Sequence, residues 1–87
     1  MTTINKQQVS ELILMEVYAD LHKVKEKITW YEKKYATHFK SFEKAINQET
    51  EDFEKYDDYI EWKAYFNQMH DLHQKIKDIK SGNFQVS

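Results

Sequence analysis

The sequence predicts an all-α fold, an antiparallel helical hairpin with a short connecting helix between its two arms. The chain has 87 residues, no proline and one glycine, Gly82, so nothing interrupts helices over most of its length. Two stretches carry apolar residues at alternating spacings of three and four, which is typical of helices that pack along a seam. At 10.6 kDa and without cysteine, the chain is expected to form a single domain over residues 1–87, with no disulfide or thiolate metal site.

The first predicted helix covers about residues 6–35. Its seam consists of Leu14, Val17, Leu21, Val24, Ile28, Tyr31 and Tyr35. Upstream, the stripe is expected to be widened by Ile4, Val9, Leu12 and Ile13. Asn5 is a candidate N-cap, because Gln8 follows it at the spacing of a capping box.

A short middle helix is predicted over about residues 37–47. Phe39, Phe42 and Ile46 keep helical spacing but lie out of register with the first seam. Thr37 is the candidate N-cap, and residues 47–50 are the expected link to the third helix. The alternative is one continuous first helix through Ile46, followed by a single hairpin loop.

The third predicted helix covers about residues 51–80. Its seam consists of Trp62, Tyr65, Met69, Leu72, Ile76 and Ile79, and it is expected to extend upstream through Tyr59, Tyr56 and Phe53. The helix is expected to end at Ser81, with Gly82 in the left-handed conformation and an extended tail over residues 83–87. Because two helices bury only one stripe each, we expect dimerisation or a partner protein to complete a bundle.

Composition and motifs exclude several function classes. The chain has no arginine and a net charge of −2, so we expect no direct sequence-specific binding to nucleic acid. It contains no phosphate-binding loop, nucleophile elbow or His-Glu-x-x-His run, so we expect neither an enzyme nor a cofactor. The N-terminus lacks a signal-peptide pattern and the longest apolar run is four residues. These features predict a cytoplasmic protein that does not cross a membrane.

The histidines are the only residues that raise the question of a metal site. In an antiparallel pair, His22 would lie near the level of His70 and His73, and imidazoles three residues apart can share a transition metal. The Glu-x-x-His pairs of di-iron bundles are absent, however. We therefore expect histidines at the edge of the seam and no metal.

A strongly acidic stretch stands out in the second half of the chain. Residues 49–61 hold seven carboxylates and one lysine, a net charge of −6, with aromatic residues interleaved. Such a surface suits a basic cleft. The candidate partner-binding residues, here called the acidic aromatic segment, are Glu51, Asp52, Phe53, Glu54, Tyr56, Asp57, Asp58, Tyr59, Glu61 and Trp62. The alternative is that the acids favour the positive end of a helix dipole while the aromatic rings are core.

Two sequence motifs carry a resemblance to a known family. Residues 31–36 read Tyr-Glu-Lys-Lys-Tyr-Ala and residues 57–63 read Asp-Asp-Tyr-Ile-Glu-Trp-Lys. Over about residues 28–80 the chain resembles small prokaryotic all-helical proteins with the patterns Glu-Lys-Lys-Tyr-Gly and Asp-Tyr-x-Glu-Trp. Their genes often lie beside a TumE-like toxin gene, and they are regarded as its antitoxins. Ala36 stands where the family tends to have glycine, which favours a longer first helix.

The resemblance and the acidic aromatic segment together predict a protein-binding module. We expect an antitoxin that neutralises a cognate toxin, such as a nuclease, by occluding its active cleft, and that forms a homodimer or a hetero-oligomer. One alternative is a self-associating four-helix-bundle dimer built on the two seams. Another is a small phage-type inhibitor of a nucleic-acid enzyme.

Overall fold

The computed structural model describes residues 6–47 and 52–82, and these form three helices. They are α1 (Lys6–Tyr35), α2 (Phe39–Ile46) and α3 (Phe53–Lys80). The prediction of an all-α hairpin with a short connecting helix is confirmed. The proposed cap at Asn5, the stripe residue Ile4, most of the link after Asn47 and the tail over 83–87 lie outside the described residues.

The core consists of two clusters that follow one another along the hairpin. The aliphatic cluster joins the first half of α1 to the end of α3 through Val17, Leu21, Ile76 and Ile79. The aromatic cluster joins the second half of α1 and all of α2 to the start of α3, and its buried members are Val24, Ile28, Tyr31, Phe39, Phe42, Ile46, Tyr59 and Trp62. Because early residues of α1 meet late residues of α3, the two arms are antiparallel.

The chain turns after α1 at Ala36, which has a φ of 52°. The amide of Thr37 donates to the carbonyl oxygen of Glu32 at 3.2 Å, the bond that closes a helix in the Schellman manner. The alternative of a continuous helix through Ile46 is therefore wrong, and so is the longer helix inferred from Ala36. A continuous helix would carry Phe39 and Phe42 away from the aromatic cluster, where both are buried.

The two later helices begin at caps of different kinds. The N-cap of α2 is His38 and not Thr37, and its side chain makes no capping hydrogen bond. The N-cap of α3 is Asp52, whose carboxylate accepts a hydrogen bond from the amide of Lys55 at 3.1 Å. At the other end of α3, Gly82 has the predicted left-handed conformation, with a φ of 80°. Among the described helices, none is long and apolar enough to cross a membrane.

The hairpin is long and thin, with extents of 61 × 19 × 18 Å and a radius of gyration of 17.5 Å. A compact domain of this length would have a radius of gyration of about 12 Å. In so thin a molecule, only the side chains between the arms or beneath α2 are shielded from water. The outer faces of α1 and α3 are therefore exposed.

The two seams are already used inside one chain. Val17, Leu21 and Val24 are between 2% and 5% exposed, because α3 covers them. The alternative of a four-helix bundle built on these seams stays a prediction, and contacts between chains would have to add side chains beyond those that are already buried. If the chain self-associates, other side chains form the contact.

Candidate protein-binding surface

The helical geometry of α3 divides the acidic aromatic segment between two faces. Each step of three residues turns about 300° around the axis, so successive members of the series 53, 56, 59 and 62 fall about 60° further from the seam. Trp62 and Tyr59 are 0% and 9% exposed, whereas Tyr56 and Phe53 are 52% and 83% exposed. The prediction that Phe53 and Tyr56 extend the seam is wrong, because they point to the opposite side of the helix.

Tyr59 and Trp62 belong to the core of the hairpin. The ring of Trp62 lies 5.5 Å from that of Tyr31 and 5.1 Å from that of Phe42, measured between centroids. The hydroxyl of Tyr59 donates to Glu43 at 2.8 Å, and this bond together with burial raises the pKa of Tyr59. Both rings are committed to the fold, so the expectation that they anchor a partner is wrong.

Asp58 and Glu54 face α1, where both carboxylates lie within ion-pair distance of the single Lys34 ammonium. Asp58 accepts hydrogen bonds from the Lys34 ammonium at 2.7 Å and from the hydroxyl of Tyr35. Burial opposes the ionisation of Asp58, but these two donors outweigh it and hold the pKa of Asp58 below its usual value. Burial and the bond to Asp58 raise the pKa of Tyr35 to about 12. Glu54 lies 3.3 Å from the same ammonium.

Three large apolar side chains form a continuous strip on the outward face of α3. Phe53, Tyr56 and Ile60 are 83%, 52% and 53% exposed, and they are here called the outer strip. Asp57 and Glu61 border the strip, are exposed, and form no ion pair within the described residues. Ile60 was not predicted from the sequence, although its spacing of four residues from Tyr56 and seven from Phe53 places it on the same face of the helix.

The remaining acidic candidates lie at the start of α3. Asp52 is exposed, but one of its carboxylate oxygens is engaged in capping the helix. Glu51 lies outside the described residues. Of the ten predicted residues, the structure therefore offers Phe53, Tyr56, Asp57 and Glu61 most openly to a partner.

A groove runs between α1 and α3 beside the outer strip. Its volume is about 380 Å³, and its lining residues are Glu26, Lys27, Trp30, Tyr31, Asp58 and Glu61. Trp30 is 55% exposed and meets Tyr31 edge to face, with 5.0 Å between ring centroids. Trp30 was not among the residues predicted from the sequence. Its position off the seam, in an otherwise polar part of the helix, is the feature that could have identified it.

The histidines do not assemble into a metal site. His22 Nε2 lies 3.0 Å from Glu26 Oε1, and the ring of His70 packs against Phe66 with 4.8 Å between centroids. Within residues 6–47 and 52–82 there is no group of three or more histidine, cysteine or carboxylate side chains that could hold a metal ion.

A second apolar patch lies on α1, in the half that packs against the end of α3. Leu12, Met15 and Tyr18 are 58%, 69% and 44% exposed. Leu12 was expected to widen the buried stripe, and this expectation is wrong. Exposed Glu11 and Glu16 lie next to Leu12 and Met15 in the sequence, so this patch also has acidic neighbours, far along the chain from the outer strip.

Comparison of this chain with protein-family models, curated proteins and solved structures found no match. The resemblance to the antitoxin family therefore stays a prediction that rests on the two motifs. In the structure the motifs contact each other, since Lys34 and Tyr35 of the first bind Asp58 of the second, and Tyr31 stacks on Trp62. The contacts between the two motifs thus hold the arms of the hairpin together.

Proposed function

We propose that this chain is a protein-binding module that docks through the outer strip on a partner with a basic surface. The observation that supports this proposal is the exposure of Phe53, Tyr56 and Ile60 on one face, beside Asp57 and Glu61, whose carboxylates form no ion pair with the residues that the structure describes. Large apolar side chains that stay exposed together on a small protein commonly mark an interaction site. The acidic flank of the strip, on the side of Asp57 and opposite Lys63, favours partners with positive charge and speeds their association.

The partner we propose is a cognate toxin, with this chain as its cytoplasmic antitoxin and no catalytic role of its own. A nuclease cleft carries positive charge because it binds phosphates, so an acidic helix face can compete for it. The helix would occlude the cleft, with Phe53 and Ile60 as apolar anchors and the carboxylates facing the basic rim. The two family-like motifs support this choice of partner, and a phage-type inhibitor of a nucleic-acid enzyme would use the same surface.

Co-expression with the neighbouring open reading frames tests the proposal. The tagged chain is produced together with each neighbour, and each neighbour is also expressed alone in a growth assay. We expect one neighbour to stop growth alone, to co-purify with this chain and to become harmless in its presence. If neither neighbour binds the chain or harms growth, the antitoxin proposal is wrong.

Self-association is the second candidate function, and the patch of Leu12, Met15 and Tyr18 favours it. Because the seams are buried within one chain, a structural dimer would have to use exposed apolar residues such as these. Sedimentation equilibrium of the purified chain, compared with a Leu12→Ser and Met15→Ser variant, tests this candidate. A wild-type dimer that the double substitution dissociates supports it, and a wild-type monomer contradicts it.

A further inference from the structure

We infer that the groove between α1 and α3 receives an arginine side chain of the protein partner, stacked on Trp30 and paired with Glu61. This inference rests on the proposed protein-binding function and names the chemistry of one contact. It adds a residue of α1 to a surface that otherwise belongs to α3 alone.

The aromatic wall of the groove is the first reason. More than half of the Trp30 side chain is exposed, and Tyr31 supports it from one edge at an interplanar angle of 85°. Tryptophan is the best cation–π acceptor among the side chains. The Lys34 ammonium already lies 5.1 Å from the centroid of the Trp30 ring, so the indole is held where it interacts with positive charge.

The charges around the groove are the second reason. Three carboxylates and one ammonium line it, a net charge of −2. Lys34 satisfies Asp58, and His22 lies 3.0 Å from Glu26. Burial and the nearby Glu61 carboxylate raise the pKa of Tyr31, and Glu61 has no cationic partner within the described residues. Glu61 is therefore the carboxylate left to pair with a cation from outside.

The shape and position of the groove select a long planar cation carried by a docked protein. A guanidinium stacks on an aromatic face and offers paired donors to a carboxylate, which a lysine ammonium cannot do. The volume of about 380 Å³ lies at the lower end of the range of about 300–1,000 Å³ for ligand pockets. Glu61 follows Ile60 directly, so a partner seated on the outer strip has the groove at its edge.

An NMR titration of the whole chain tests the inference without the partner. The probe is N-acetyl-arginine methylamide, and its neutral isostere, N-acetyl-citrulline methylamide, is the control. We expect the Trp30 indole N–H resonance to shift and saturate with a Kd of the order of millimolar with the arginine probe only. The indole N–H of the buried Trp62 should not shift.

Two substitutions that change the net charge of the groove in opposite directions test the inference further. Glu61→Gln should weaken binding of the arginine probe at least about threefold, and Lys27→Gln should strengthen it by a similar factor. Glu16→Gln also removes one negative charge, but from an exposed site on α1 that does not line the groove, and it should leave the affinity for the arginine probe unchanged. An absent shift, an equal response to the citrulline probe, or equal losses in the Glu61 and Glu16 variants would overturn the inference.

The experiments distinguish an error in the groove inference from an error in the proposed function. If a neighbour binds the wild-type chain but the arginine probe does not, the groove inference is wrong and the protein-binding function stands. A variant with Phe53→Ser and Ile60→Ser should lose the protein partner and keep its affinity for the arginine probe. A Trp30→Ala variant should lose affinity for the probe while remaining folded, because its indole is mostly exposed.

Discussion

The carboxylate of Asp58 links the two arms of the hairpin at the level of the aromatic cluster. It accepts from Lys34 and Tyr35 of α1, and its side chain is 15% exposed. Hydrogen bonds to a charged group of this kind stabilise a fold more than neutral ones do. The sequence showed Asp58 as one of several carboxylates in an acidic run, and only the packing of the arms distinguishes it from its neighbour Asp57.

Asp58→Asn should lower the free energy of unfolding by about 1–2 kcal/mol, since the charged acceptor of two hydrogen bonds is lost. Asp57→Asn makes the same change of charge on an exposed neighbour and should cost less than about 0.5 kcal/mol. Urea denaturation followed by circular dichroism at pH 7 measures both. Equal effects of the two substitutions would contradict the role given to Asp58.

The same residue should make the hairpin sensitive to acid. Because the pKa of Asp58 is lowered in the folded state, its contribution is fully present above the unfolded pKa of about 3.9 and is lost as the pH falls through the lower folded value. The stability difference between wild type and Asp58→Asn should therefore shrink below about pH 4. A difference that stays constant down to pH 2 would contradict this assignment.

Ala36 is the residue at which the sequence predicted the wrong backbone. Only the need to bury α2 explains why a helix-forming residue adopts a φ of 52°. Ala36→Gly should stabilise the protein by about 1 kcal/mol, because an L-residue is strained in this conformation and glycine is not. Ala64→Gly, on an exposed position inside α3, should destabilise it by about 1 kcal/mol. Thermal unfolding measures the change in stability of each variant. If both substitutions stabilise the protein, or both destabilise it, the left-handed turn at Ala36 is contradicted.

At the scale of the elements, the seams and the bounds of α1 and α3 were predictable, whereas the burial of apolar side chains near the start of each helix was less so. Alternating spacings of three and four identified Val17 to Tyr31 on α1 and Trp62 to Ile79 on α3, because this periodicity keeps a stripe on one face. The uniform three-residue steps from Phe53 to Trp62 do not stay on one face of the helix. Aromatic residues that are grouped together in sequence therefore point to opposite faces. Residues such as Trp30 were missed because exposure depends on the tertiary contacts of each arm.

The packing of α2 on α3 depends on Trp62, which touches rings of both other helices. Trp62→Ala should cost about 3–5 kcal/mol, whereas Trp30→Ala should cost less than about 1 kcal/mol, since only Trp62 is buried. The Trp62 indole N–H has no hydrogen-bond partner among the described residues, so Trp62→Phe should cost much less than Trp62→Ala. Unfolding curves with near-ultraviolet circular dichroism measure these variants. A mild Trp62→Ala phenotype would contradict the aromatic cluster.

At the scale of the whole molecule, the hairpin exposes more surface than a compact domain of the same length. Small-angle X-ray scattering of a monomer should give a radius of gyration near 17.5 Å. A value near 12 Å would indicate a compact fold and contradict the open hairpin. A partner that binds only the folded chain should also raise its melting temperature, by an amount that grows with the logarithm of the partner's concentration above Kd.

The binding affinity of outer-strip variants tests the central claim most directly. Isothermal titration calorimetry compares the wild-type chain with two double variants, Phe53→Ser with Ile60→Ser and Leu12→Ser with Met15→Ser, against the neighbouring gene product that co-purifies with it. Both pairs replace exposed apolar residues, and circular dichroism confirms that both variants fold. We predict that the first variant loses at least about a hundredfold in affinity, as expected for two anchor residues, while the second binds like wild type. Equal affinities of the two variants, or a loss only in the Leu12 and Met15 variant, would contradict the outer strip as the binding surface.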